Sequence, residues 1–233
     1  MRREFEVLNN IFGYRNFRKG QQEVIDKILN GKDVFCILPT GGGKSLCYEI
    51  PAYIFKGTTL VISPLISLMK DQVDNLNSLG INAAYISGGN DFEEVKNIIR
   101  KFIKGEFKLL YVSPERLENK YFLDNIDKAN ITQIVVDEAH CVSMWGHDFR
   151  KSYSKIKPFI CNLKKRPIIT AFTATATEIV MKDSIELLGL HNPFIYKGSF
   201  SRDNLEINVL KEVDKLECIS EIISEHEEES GII

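Results

Sequence analysis

Six short apolar runs set the rhythm of this chain, at residues 33–38, 58–62, 82–86, 108–112, 131–136 and 167–172. Several, such as Gln133-Ile134-Val135-Val136, are rich in valine or isoleucine and show no polar alternation. Strands that are apolar on both faces belong in a parallel sheet covered on both sides, and helical stretches separate most of the runs. The pattern therefore predicts an α/β fold, with a mostly parallel central sheet and helices on both faces. Upstream, residues 4–30 read as helix, turn, helix. Phe5, Leu8, Ile11 and Phe12 recur at helical spacing, as do Val24, Ile25, Ile28 and Leu29 before a stop at Gly31. After Leu188-Gly189-Leu190 the rhythm breaks. His191-Asn192-Pro193 reads as a turn, 200–205 as a polar crossing and 206–210 as a candidate strand. Val213, Leu216, Ile219, Ile222 and Ile223 then share one face of an acidic helix. The final Gly231-Ile232-Ile233 has the look of another strand beginning, which predicts a chain cut short before a second lobe. The expected organisation is a helical segment over 1–31, a main body over 32–210, and the start of a further unit over 211–233.

The stretch Leu38-Pro39-Thr40-Gly41-Gly42-Gly43-Lys44-Ser45 joins the first strand to a helix-compatible segment. Glycines there let backbone N–H groups and a helix N-terminus face a phosphate, Lys44 can reach its outer oxygens, and the Ser45 hydroxyl can ligate Mg²⁺. The first glycine of the usual phosphate-loop pattern is replaced by Leu38, so the tight turn falls to Thr40, Gly41, Gly42 and Gly43. Downstream, Asp137-Glu138-Ala139-His140 directly follows the fifth apolar run. An acidic pair at the carboxyl end of a buried strand is where an open α/β sheet places its ligands. Asp137 can hold Mg²⁺, and Glu138 can orient and deprotonate the water that attacks a γ-phosphate. Together the two stretches imply a nucleoside triphosphate bound with magnesium, with Lys44, Asp137, Glu138 and His140 as the catalytic candidates.

Composition narrows the setting. No apolar run approaches the ~20 residues needed to span a bilayer, and the charged start Met-Arg-Arg-Glu-Phe-Glu lacks the apolar core of a signal peptide. These features exclude a membrane partner and predict a soluble, intracellular protein. The five cysteines, Cys36, Cys47, Cys141, Cys161 and Cys218, form no Cys-x-x-Cys pair, so reduced thiols are expected and a structural zinc site is not. The formal charge of −2 is unevenly placed. From Glu212 onward eight acidic residues face one basic residue, leaving a mildly basic body. Net charge neither demands nor excludes a polyanionic partner.

Thr40-Gly-Gly-Gly-Lys-Ser45, Asp137-Glu-Ala-His140 and Phe172-Thr-Ala-Thr-Ala-Thr177, in that order, resemble motifs I, II and III of superfamily 2 helicases. More narrowly, the chain resembles the RecQ family of DNA helicases. The narrowing stretches are Phe12-Gly-Tyr-Arg-Asn-Phe-Arg18 with Gln21, Ser63 to Val73, and Trp145-Gly-His-Asp-Phe-Arg150. The resemblance runs from about residue 5 to the last residue. It implies a RecA-like P-loop domain, the first lobe of an ATP-driven 3′-to-5′ helicase that acts on single-stranded and branched DNA in recombination and repair. It also implies a cytoplasmic location near the nucleoid in a bacterium, or a nuclear one in a eukaryote.

The residues themselves suit these roles. Tyr14 and Arg18 offer a ring and a guanidinium that can sandwich adenine, and Gln21 can pair with its N6/N7 edge. Phe17 reads instead as a core contact. Trp145 and Phe149 can stack on unpaired bases, and Arg150 can meet a phosphate or an acidic residue. His147 and Asp148 complete that loop, although His147 alone reads as a structural histidine. Ser63, Lys70 and Arg116 suit phosphate gripping on the DNA side, while both Ser-Pro pairs equally suit helix starts. Thr173 and Thr175 resemble the family's coupling motif. A second lobe normally supplies an arginine finger, so the chain alone is expected to bind ATP weakly, hydrolyse it very slowly and not unwind duplexes.

Overall fold

The computed structural model describes residues 3–146, 148–199, 209–211, 214–226 and 230–231. The chain divides into two units, residues 1–200 and 201–233. The first begins with α1 (Arg3–Asn10), α2 (Gln21–Leu29), β1 (Val34–Ile37), α3 (Lys44–Ile54), β2 (Thr58–Ile62) and α4 (Ile66–Ser78). It continues through β3 (Ala83–Ile86), α5 (Phe92–Ile103), β4 (Leu109–Val112), α6 (Lys120–Ile126), β5 (Ile131–Val136) and α7 (Ile156–Asn162). It closes with β6 (Ile168–Thr173), α8 (Glu178–Leu188) and β7 (Phe194–Lys197).

All seven strands join one sheet in the order β3-β4-β2-β5-β6-β1-β7, and every pairing is parallel. Alternate residues of each central strand feed two separate cores. On one face Cys36, Val61, Tyr111, Val135 and Phe172 pack against α2, α3 and α4. On the other Ile37, Leu60, Val112, Ile134 and Ala171 pack against α5, α6, α7 and α8. Burial on both faces is the physical reason that β1 and β4 are apolar throughout and that β2 and β5 show no polar alternation, their buried Thr59 and Gln133 lying within hydrogen-bond reach of each other. A third, smaller cluster of Val7, Leu8, Ile25 and Ile50 holds α1 and α2 onto α3.

Six strands lie where the apolar runs predicted them. The seventh, β7, falls between the expected turn at 191–193 and the expected crossing at 200–205, in a stretch to which no element was assigned. It is an edge strand on β1, buried on neither face in full, and its half-exposed Phe-Ile-Tyr-Lys has no run of its own to announce it. The sheet's amino edge is fastened by Asp33, which is buried. Its carboxylate accepts Arg166 Nη1 at 3.1 Å and Nη2 at 2.5 Å, and the N–H groups of Ile169 at 2.9 Å and His191 at 2.7 Å. One side chain thereby ties the starts of β1 and β6 to the segment leading into β7.

In the second unit, α9 (Lys215–Glu225) is the acidic helix expected from the apolar spacing. Asp214 caps it by accepting the N–H groups of Leu216 and Glu217. The crossing at 200–205, most of the candidate strand 206–210, Val213 and the terminal isoleucines lie outside the described residues.

Candidate active site

Beyond the carboxyl end of β1 the chain turns sharply through Pro39 to Gly43, and α3 begins at Lys44. No side chain caps α3, so its first-turn N–H groups stay available at the loop. Gly43 sits at φ 79°, and a Cβ there would lie 2.2 Å from Gln21 Nε2. Only glycine fits this left-handed, crowded position. Lys44 Nζ donates to the Leu38 carbonyl oxygen at 3.3 Å, which arches the lysine over its own loop.

Asp137 and Glu138 follow β5 and face the same cleft. Asp137 N–H donates to the Ile62 carbonyl oxygen at 2.9 Å, fixing the turn to the neighbouring strand. Glu138 adopts a left-handed backbone, φ 47° and ψ 47°, a conformation that costs a non-glycine residue about 1–3 kcal/mol. Burial, reinforced by the charge of Glu138, pushes the Asp137 carboxyl up to about 6. The Glu138 N–H, the Ser63 hydroxyl and the charge of Lys44 pull in the other direction.

The cleft has a volume of about 520 Å³. Its walls include Tyr14, Arg18, Gln21, Thr40, Gly41, Gly43, Lys44, Ser45, Asp137 and Glu138. Tyr14 is 54% exposed, a ring free to stack, whereas Gln21 is buried. Gln21 accepts the Arg18 N–H at 2.8 Å and donates to the Gly43 carbonyl oxygen at 3.1 Å, while Arg18 Nη1 donates to the Gly41 carbonyl oxygen. Two of the residues singled out for adenine, Arg18 and Gln21, are thus fastened to the phosphate loop itself. A helix N-terminus, a lysine, a serine hydroxyl and a partly buried carboxylate in one cleft form a donor set that fits a triphosphate with Mg²⁺.

Among the described residues, none of those expected on the DNA side lines this cleft. Ser63 is buried and its hydroxyl donates to Asp137 Oδ2 at 3.2 Å. Lys70 is exposed on α4. Arg116 Nη2 donates to the Ser87 carbonyl oxygen at 2.9 Å, and partial burial lowers its pKa. Trp145 is 75% exposed and Phe149 44% exposed. His147 lies outside the described residues. Gly146 is pressed onto the preceding turn, where a Cβ would come within 2.8 Å of the His140 carbonyl oxygen.

A chain of polar contacts links that loop to the cleft. Arg150 N–H donates to the Cys141 carbonyl oxygen at 2.9 Å, Arg150 Nη1 reaches the Pro64 carbonyl oxygen at 3.4 Å, and Arg150 Nη2 lies 3.6 Å from Asp148. His140 Nδ1 lies 2.7 Å from Thr173 Oγ1 and 3.3 Å from Glu138 Oε2. The Thr173 hydroxyl donates to the Thr175 carbonyl oxygen at 3.0 Å and accepts the Thr175 N–H at 3.2 Å. The second and third motifs therefore meet through one histidine.

Two residues near the site escaped sequence reasoning. Tyr153 is fully buried and its hydroxyl donates to the Asp137 carbonyl oxygen at 2.8 Å. Glu49, on the cleft side of α3, is 2% exposed, and burial pushes its carboxyl up to about 8. Nothing in the local sequence marks either one. A glutamate in a helix is ordinarily solvated, and only the packing of α3 reveals that this one is enclosed.

The model of the DEAD/DEAH box helicases matches residues 18–183, which takes in both motif stretches and nearly the whole sheet. The chain belongs to that family. It is 45% identical to the ATP-dependent DNA helicase RecQ of Pasteurella multocida over 98% of this chain and 36% of that protein. It is 43% identical to the ATP-dependent DNA helicase RecQ of Bacillus subtilis over 100% of this chain and 40% of that one. The chain thus spans 36–40% of the length of these two relatives. The helicase domain of Pyrococcus furiosus Hef superposes on 80% of this chain and 39% of that chain, with a TM-score of 0.62 at 22% identity, a likeness of fold. No helix among the described residues is long and apolar enough to cross a membrane.

Proposed function

We propose that this chain is the first motor lobe of an ATP-dependent, 3′-to-5′ DNA helicase of RecQ type that acts in recombination and repair. The observation that carries the reading is the convergence of the Lys44 loop, the Asp137-Glu138 pair and the Tyr14/Arg18/Gln21 group on one cleft. Within the second unit, the segment from about residue 211 would open the connection to a second lobe.

In this reading Tyr14 and Arg18 sandwich adenine. Gln21 uses the remaining lone pair and hydrogen of its amide on the N6/N7 edge, keeping its bonds to Arg18 and Gly43. The α3 N-terminus and Lys44 hold the phosphates, and Ser45 with Asp137 would hold Mg²⁺. When bound, the ion neutralises charge that develops on the phosphate oxygens. Glu138 orients the attacking water and takes its proton. His140, bonded to Thr173, carries the position of Glu138 toward the second strand-end motif. Trp145 and Phe149 would stack on bases of single-stranded or branched DNA, while Lys70, Arg116 and Arg150 favour its phosphates. Arg150, braced by Pro64 next to Ser63, couples that loop to Asp137. An arginine finger from a second lobe would raise turnover by roughly 10³–10⁵.

The test is steady-state ATP hydrolysis with and without single-stranded DNA. It compares this chain with a form extended to the length of the RecQ relatives. The expected result is strong DNA stimulation in the long form, abolished by Glu138→Gln, and near silence in the short one. Hydrolysis in the long form that ignores DNA would overturn the helicase reading in favour of a small-molecule ATPase.

A further inference from the structure

The turn after Glu138 gathers three side chains with metal-ligand chemistry. His140 and Cys141 are neighbours in the 3₁₀ turn Ala139–Val142, and Asp148 returns over them from the far side of the aromatic loop. Cys141 Sγ lies 3.7 Å from His140 Nε2 and 3.6 Å from Asp148 Oδ2. All three ligand atoms fall within 4.8 Å of one another. A tetrahedral Zn²⁺, with bonds of about 2.3 Å to sulfur and about 2.0–2.2 Å to nitrogen and oxygen, requires sulfur–nitrogen and sulfur–oxygen edges of about 3.5–3.7 Å. Two edges of that tetrahedron are already close to length, and the exposed Asp148 carboxylate can swing to close the third.

The histidine is also oriented for the task. Glu138 Oε2, which can only accept when ionised, faces Nδ1 together with Thr173 Oγ1. That places the proton on Nδ1 and leaves the Nε2 lone pair on the side of Cys141. A carboxylate or hydroxyl behind a ring N–H is the support that metal-bound histidines ordinarily have. Asp148, 52% exposed in its side chain, supplies the way in.

We infer that His140 Nε2, Cys141 Sγ and the Asp148 carboxylate form a site for a soft divalent cation such as Zn²⁺, whose binding fastens the aromatic loop to the turn that carries Glu138. The thiol proton passes to solvent as the metal–sulfur bond forms, and water completes the fourth position. With one thiolate and an open position, the site is of another kind from the Cys-x-x-Cys structural zinc that the sequence lacks. The inference does not depend on the nucleotide or DNA reading.

The test titrates Co²⁺, then Zn²⁺, into the full chain carrying Cys161→Ser and Cys218→Ser, in magnesium-free buffer. One equivalent of Co²⁺ should produce a near-ultraviolet sulfur-to-cobalt charge-transfer band that Zn²⁺ displaces. The fluorescence of Trp145, the chain's one tryptophan, should change in step. Cobalt at Ser45 and Asp137 would give no such band. Asp148→Ala, a substitution at an exposed position, should weaken binding tenfold or more, and Thr173→Val by roughly 10–100-fold. Cys141→Ser should abolish the band, and because Cys141 is buried the Asp148 result stands even where that variant folds poorly. Absence of the sulfur band, or a band and affinity unchanged in Asp148→Ala, would overturn the inference.

Discussion

Replacing Glu49 with glutamine should change how the stability of this protein depends on pH. Glu49 lies on α3, 2% exposed, and its Oε1 meets no hydrogen-bond partner among the described residues. Burial raises its carboxyl from 4.5 to about 8. The unfolded chain gives up this proton near 4.5, while the folded chain keeps it until near 8. Between those values the folded state binds more protons, so its stability falls as pH rises, by up to about 1.4 kcal/mol per pH unit. The contribution is fully present below 4.5, is lost progressively up to about 8, and is flat beyond. Across a window of roughly three units the ceiling is ~3–5 kcal/mol, a large part of a typical total of about 5–15 kcal/mol. Glu49→Gln keeps the shape and removes the ionisation. Urea unfolding followed by circular dichroism from pH 5 to pH 9 should show the variant gaining on the wild type by ~2 kcal/mol or more, most of it before pH 8. Parallel pH profiles would refute the reasoning, because they require Glu49 to be ionised and solvated inside the fold.

Other consequences follow from the same geometry. Asp33→Ala leaves the Ile169 and His191 N–H groups without their acceptor and the Arg166 guanidinium with only the Pro167 and Gly189 carbonyl oxygens. With Arg166 about a third exposed, the cost should be ~2–4 kcal/mol, read as a lowered urea midpoint, and a loss under ~1 kcal/mol would contradict it. Gly43→Ala forces a left-handed alanine at ~1–2 kcal/mol and drives its Cβ into Gln21. ATP affinity should drop at least ~10-fold, and unchanged affinity in calorimetry would count against the proposed adenine and phosphate sites. Asp137 must lose its proton to hold Mg²⁺, and its carboxyl is raised to about 6. Magnesium-dependent nucleotide affinity should therefore be flat above that pH and fall up to ~10-fold per unit below it, a dependence that Asp137→Asn should remove.

The parallel sheet and the phosphate loop were legible because their signals are local. A central strand buried on both faces reads as a largely apolar run without polar alternation, and a phosphate loop needs its glycines, lysine and serine side by side. The strand β7 was not legible, since an edge strand of four residues is half solvated and owes its existence to the open side of β1. Ser63 shows the same limit from another direction. Its Ser-Pro context suits a helix start or a phosphate contact, and only the adjacency of β2 and β5 turns its hydroxyl toward Asp137.

What the sequence determined by itself is the set of chemical groups, their order along the chain and the alternation that makes a covered parallel sheet. What the tertiary structure decided is which distant groups share a dielectric and a hydrogen bond. It encloses Glu49, gathers four donors on Asp33, and sets His140 between Glu138 and Thr173. These pairings join residues as many as 158 positions apart. They exist only because parallel strands, each fed by a long crossover, bring remote segments to the same edge of the sheet.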